Sequence, residues 1–219
     1  MKIIQGFCLC VCLFGLVACG GADENGDKPN NGAETTQTDD QTPPKEDGSA
    51  VSMDGETAQQ TMLEAINQWR GFVDESEETF AIDKKEYKCE GWGGSIVFAK
   101  ENGQTRAITV NSYGEHGHSI DKFYFDENDE LVLVFSEEGN WIGNTDYITR
   151  TLYYVDDNAP FFAMHKAVEG AAEKVEKMIA DKEFEETELN INKFSELVQA
   201  LPEYEKLSEN GDVQAYFCQ

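Results

Sequence analysis

The chain has 219 residues, of which 43 are Asp or Glu and 17 are Lys or Arg, giving a formal net charge of −26. That balance excludes a nucleic-acid partner, whose phosphates would be repelled with no basic stripe to neutralise them. Apolar residues, at 40%, suffice for a packed core, and the length fits one domain with appendages.

Residues 1–19 read MKIIQGFCLCVCLFGLVAC. Lys2 precedes an apolar run from Phe7 to Ala18. The run is too short to cross a bilayer as a helix and has the dimensions of a secretory signal. Leu16-Val17-Ala18-Cys19, followed by Gly20, resembles the lipobox of bacterial lipoproteins. The resemblance implies cleavage before Cys19 and acylation of that cysteine, palmitate being the usual chain. The alternative is an ordinary signal peptide with a cysteine at its cleavage site. Several acyl chains would anchor stably, each buried CH₂ contributing about 0.8 kcal/mol. Gly20 and Gly21 resemble the sorting positions of outer-membrane lipoproteins, and Asp23 and Glu24 resemble a surface-export signal of Bacteroidetes lipoproteins. The periplasmic and outer faces both stay open.

From Gly20 to Ala50 there is no Leu, Ile, Val, Met or aromatic residue, while eight acidic residues and three prolines crowd the stretch. Such a segment cannot offset its ordering entropy by burial and is expected to be disordered. Residues 19–52 therefore read as an acylated cysteine with an acidic tether, after a signal peptide over 1–18. Residues 53–219 read as a single domain.

Within that domain Met62, Ile66, Trp69 and Val73 recur at helical spacing, with Gly71 expected at the helix end. The period then changes. Ile96 to Phe98, Ala107 to Val110, Phe123 to Phe125, Leu131 to Phe135, Tyr147 to Val155 and Phe161 to Met164 are β-rich runs. Turn clusters at Glu101-Asn102-Gly103, Asp126 to Glu130 and Asp156-Asp157-Asn158 separate them. They predict an antiparallel meander of six or seven strands. Three of the hairpins look alike, with Asn102, Asn128 and Asn158 in their turns, which is either a weak internal repeat or shared hairpin chemistry. Residues 168–188 are expected to be helical and solvent-facing, and a further helix carries Phe194, Leu197, Val198 and Leu201 on one face, with Pro202 interrupting or restarting it. Val213 to Phe217 reads as strand-like. The fold class is α+β: an N-terminal helix, the meander sheet and C-terminal helices.

Gly93-Gly94-x-Ile96, Gly103, Ile108, Tyr113-Gly114-Glu115-x-Gly117, Phe123-Tyr124-Phe125, Leu131, Phe135 and Arg150-x-x-Tyr153-Tyr154 together form a hairpin pattern. It is similar to that of a group of uncharacterised lipoproteins common in Bacteroidetes. The similarity covers roughly residues 91–165, and Val155 and Pro160 depart from the usual third hairpin. It implies a fold and an address and brings no activity.

Of six cysteines, Cys8, Cys10 and Cys12 leave with the signal and Cys19 carries lipid. Cys89 and Cys218 remain, in an exported and oxidising setting that favours a disulfide over two separate buried thiols. Glu115-His116-Gly117-His118 offers two imidazoles at alternate positions, but no third or fourth ligand is placed by spacing. His116 and His118 are therefore expected as a solvated tip, with a metal site as the weaker reading. Asp126 to Glu130, with Glu137 at position twelve, mimics a calcium loop, yet Leu131 stands where a glycine is required, so a hairpin turn is expected. Gly91, Gly93 and Gly94 precede a strand, not a helix, which suits a bulge or tight bend beside Trp92 better than a phosphate cradle. Trp92, Trp141 and Tyr113 fit core or scattered surface positions, with a carbohydrate or protein contact as the alternative. No nucleophile elbow occurs, and among so many acids no carboxylate pair stands out. The expectation is a non-enzymatic, membrane-anchored envelope lipoprotein without a cofactor, structural or partner-binding. One alternative is a module that inhibits or sequesters a cationic protein such as lysozyme, steered by the 14 basic and 35 acidic residues of 53–219. The other is a metal-dependent binder or enzyme using His116 and His118.

Overall fold

A computed structural model describes residues 53–209 and 211–219; the signal segment, Cys19 and the tether lie outside them. Helix α1 (Met53–Ser76) precedes seven long strands: β1 (Ala81–Lys88), β2 (Trp92–Glu101), β3 (Gln104–Gly114), β4 (Gly117–Phe125), β5 (Leu131–Ile142), β6 (Thr145–Asp156) and β7 (Ala159–Ala171). Then follow α2 (Ala172–Asp181), the two-residue β8 (Glu185–Glu186), α3 (Ile191–Gln199), α4 (Leu201–Glu209) and α5 (Val213–Phe217). All eight strands form one antiparallel sheet in sequence order, so the architecture is α+β. No helix among the described residues is long and apolar enough to cross a membrane.

Alternation along the strands gives the sheet two apolar faces, each covered by helices. On one face Ile96, Phe98, Ile108, Val110, Phe123, Val134 and Tyr153 pack beneath Phe194, Leu197, Leu201, Leu207 and Val213 of α3–α5. On the other, Tyr124, Leu133, Leu152 and Tyr154 meet Ile66 and Val73 of α1, while Ile148 meets Val175 and Ile179 of α2. Polar tips on this second face are paired: Trp69 Nε1 donates to the Phe125 carbonyl, Tyr154 Oη to Asn67 and Tyr124 Oη to Asp74. The chain passes between faces around the β7 edge, where β8 pairs with Met164 and His165.

Five expectations need correction. Gly71 does not end α1, because continuing to Ser76 buries Val73 completely, more than offsetting a mid-helix glycine. Met62, on the expected stripe, is 39% exposed. Residues 168–171 extend β7 rather than start a helix, and α2 buries Val175 and Ile179 instead of lying free in solvent. Val213 to Phe217 is helical, since Asp212 caps it by accepting from the Ala215 amide. Gly93 and Gly94 lie in regular register with Tyr113 and Ser112, without a bulge; Gly91, at φ 82°, makes the tight bend.

Candidate functional site

Along β4, β5 and β6, the side chains of the helix-covered face change character partway. Phe123 and Val134 give way to Asp121 and Ser136, then to Ser119 and Glu138; Tyr153 gives way to Thr151 and Thr149. The apolar half lies under α3–α5. The polar half opens into a cleft of about 420 Å³ at the start of α3. Its floor is Ser136, Glu138, Thr149, Thr151, Tyr153 and His165. Its wall is Thr187, Glu188, Asn190 and Lys193, from the arm leading out of β8 and from α3.

Side-chain bonds set the floor. Ser136 Oγ donates to Asp121 Oδ1 at 2.7 Å, and burial pushes the Asp121 carboxyl above the usual range despite that bond. Thr151 Oγ1 and His165 Nδ1 lie 3.0 Å apart. Asn190 caps α3 by accepting from the Lys193 amide, and Lys193 Nζ reaches Glu138 Oε1 at 2.6 Å. That bond raises the Lys193 pKa. Tyr153 is only 4% exposed, its ring tilted against Phe194 with centroids 5.7 Å apart. Its hydroxyl has no hydrogen-bond partner among the described residues, nor has His165 Nε2, and both residues line the cleft.

Glu138 also lines a neighbouring cleft of about 330 Å³, with Ser112, Ser119, Asn140 and the 40%-exposed Trp92. Trp92 stands edge-on to Tyr87 at 5.5 Å. Glu138 is thus common to the two clefts, with Lys193 bonded to it from the first.

His116 and His118 do not form a joint tip. His116 sits exposed in the β3–β4 turn, but His118 is half-buried on β4, its Nε2 2.9 Å from Glu137 Oε1 and its ring stacked on Trp141. The alternation from His116 to Gly117 to His118 is broken by the turn, so the two rings are not brought to one face. Glu137, buried, is shared with Arg150. Among the described residues no three His, Cys, Asp or Glu side chains are placed to hold a metal ion. Asp126 to Glu130 is a hairpin turn in which Asp126 Oδ1 accepts from the amides of Asn128 and Glu130. Cys89 and Cys218 are joined in a disulfide that ties α5 to the end of β1. Beside it the Gln214 amide exchanges hydrogen bonds with the Lys88 backbone N–H and C=O, as a neighbouring strand would.

Sequence reasoning missed the groove. The signal was present as hydroxyl and acidic residues at alternate positions, Thr149-x-Thr151-x-Tyr153 and Ser136-x-Glu138-x-Asn140, which place them all on one face. No family model, curated protein or solved structure matches the chain.

Proposed function

We propose that this chain is a lipid-anchored lipoprotein of the bacterial envelope, most consistent with the outer membrane, that acts as a non-enzymatic binding module. Cys19 carries the acyl chains, and the acidic segment after it holds the domain off the bilayer. The observation that carries the binding role is the polar half-face of the sheet, a preformed groove whose floor comes from rigid strands.

Two measurements test the reading. Radiolabelled palmitate is expected on the full chain in cells and absent from Cys19→Ala; equal labelling sinks the anchor. Full chain purified in detergent is expected to be retained on isolated envelope fragments, with Thr151→Trp, which fills the cleft, cutting retention at least tenfold. Equal retention, with an unchanged circular dichroism spectrum, sinks the groove as the binding surface.

The second reading is sequestration of a cationic protein such as lysozyme. Its support is the charge of 53–219 together with Glu138 and Glu188 in the groove. It requires association with lysozyme whose rate falls steeply with ionic strength. No association at low salt removes it.

A further inference from the structure

Tyr153 is the most telling residue of the groove. Its ring is core, yet its hydroxyl, in a side chain 4% exposed, has no partner among the described residues and belongs to the cleft floor. No side-chain oxygen or nitrogen sealed from solvent lacks a partner among the described residues, so this hydroxyl opens onto the cleft as an available donor and acceptor. Here the open position faces a space large enough for a small ligand, within the range of roughly 300–1,000 Å³ usual for such sites.

The chemistry of the lining narrows the ligand. Thr149, Thr151 and Thr187 hydroxyls both donate and accept, His165 Nε2 is uncommitted, and Glu138 has a second carboxylate oxygen beyond the one held by Lys193. An anion would meet Glu138 and Glu188 in a strongly acidic protein. A cation would meet Lys193 in the middle of the groove. An apolar ligand would strip water from hydroxyls it cannot bond. A neutral ligand dense in hydroxyl groups satisfies both donors and acceptors. Trp92, exposed in the compartment beyond Glu138, offers an apolar ring on which a sugar's C–H face can rest.

We propose that the groove binds a neutral oligosaccharide, one sugar on the Tyr153–Thr151–His165 floor and the next beyond Glu138 against Trp92. This rests on the binding-module reading above and names the ligand class for the same site.

The test titrates full chain, in a detergent without a sugar headgroup, with maltotriose, cellotriose, mannotriose and N-acetylated chitotriose, followed by calorimetry and tryptophan fluorescence. At least one is expected to bind saturably at millimolar concentration or below. Tyr153→Phe, which keeps the ring and its packing on Phe194, is expected to weaken that binding about tenfold. Trp92→Phe is expected to abolish most of the fluorescence change, whereas Lys84→Ala on the exposed face of β1 leaves both signals intact. Binding by none of the four, or binding that Tyr153→Phe and Thr149→Val both leave unchanged, overturns the proposal. Should all four sugars fail while groove-dependent retention on envelope fragments persists, the saccharide assignment is wrong and the binding module stands.

Discussion

A methyl group added at Gly94 would lie 1.9 Å from the Asn111 carbonyl oxygen and 2.4 Å from Tyr87 Oη. Tyr87 crosses the sheet over this glycine to reach Asn111 and Ser112, so Gly94→Ala is expected to lower unfolding free energy by about 1–3 kcal/mol in urea melts. Gly71 is the contrasting case, with nothing within 4 Å in the middle of α1. Gly71→Ala is expected to stabilise by about 0.5–1 kcal/mol through helix propensity. Glu137, buried between His118 and Arg150, is expected to cost about 3 kcal/mol on replacement by Leu, since two donors lose their acceptor. Asp121 carries a pH signature. Burial raises its folded pKa above the unfolded value, so the ionised form is penalised in the fold. The penalty is fully present above the folded pKa and vanishes as pH falls below the unfolded one. Asp121→Asn, which can still accept from Ser136, is therefore expected to match or exceed the parent in stability at neutral pH. The difference should close on acidification through the carboxylate range, as denaturant melts across pH would record.

At the scale of elements, the strands with clear alternation were legible and those without were not. Pairs such as Ile96 and Phe98, Ile108 and Val110, Phe123 and Phe125, and Leu152 and Tyr154 place apolar residues at alternate positions, and two turns between the strands hold Asn102 at φ 52° and Asn158 at φ 60°. Strand β1, reading AIDKKEYK, buries only Tyr87, so a charged edge strand carries no periodic signal. Strand β8 is set by docking of an arm on β7, not by its own sequence. The sequence of α5 resembles a strand because Val213, Tyr216 and Phe217 favour extended backbone. Its cap and its tertiary contacts decide otherwise, for Phe217 stacks on Tyr87 with centroids 4.2 Å apart. The Cys89–Cys218 bridge, which spans 129 residues, keeps α5 within reach of those contacts. Replacing both cysteines by serine is expected to remove about 4–5 kcal/mol on the chain-entropy view. Hydrogen exchange should show the Lys88 amide losing protection before the amides of β3 to β6. Equal protection of all of them would show that α5 holds without the bridge. The groove escaped notice for a related reason. Its residues come from three strands and the α3 approach, and Tyr153 sits inside an apolar run that looks like pure core.

For the molecule as a whole, five tyrosines have pKa values pushed up, chiefly by burial, among them Tyr124, Tyr204 and Tyr153. A phenol ionises more readily once unfolded, so each of these contributions is intact below the unfolded value of about 10 and erodes as pH rises past it. Alkaline titration followed by phenolate absorbance is expected to show these tyrosines ionising together with loss of the fold rather than before it. The sheet itself is built from near neighbours, every strand pairing with the one before it. Such a chain can assemble hairpin by hairpin at low loop-closure cost. A long-range contact breaks that pattern: the first strand of the sheet is finished by α5, Gln214 filling the bonding positions of Lys88 and Cys218 closing on Cys89. During synthesis β1 therefore waits, its outer edge bare, until α5 emerges. Lys84, Lys85 and Lys88 along that strand place repelling charges where another chain would otherwise pair, guarding the unfinished edge for as long as the wait lasts.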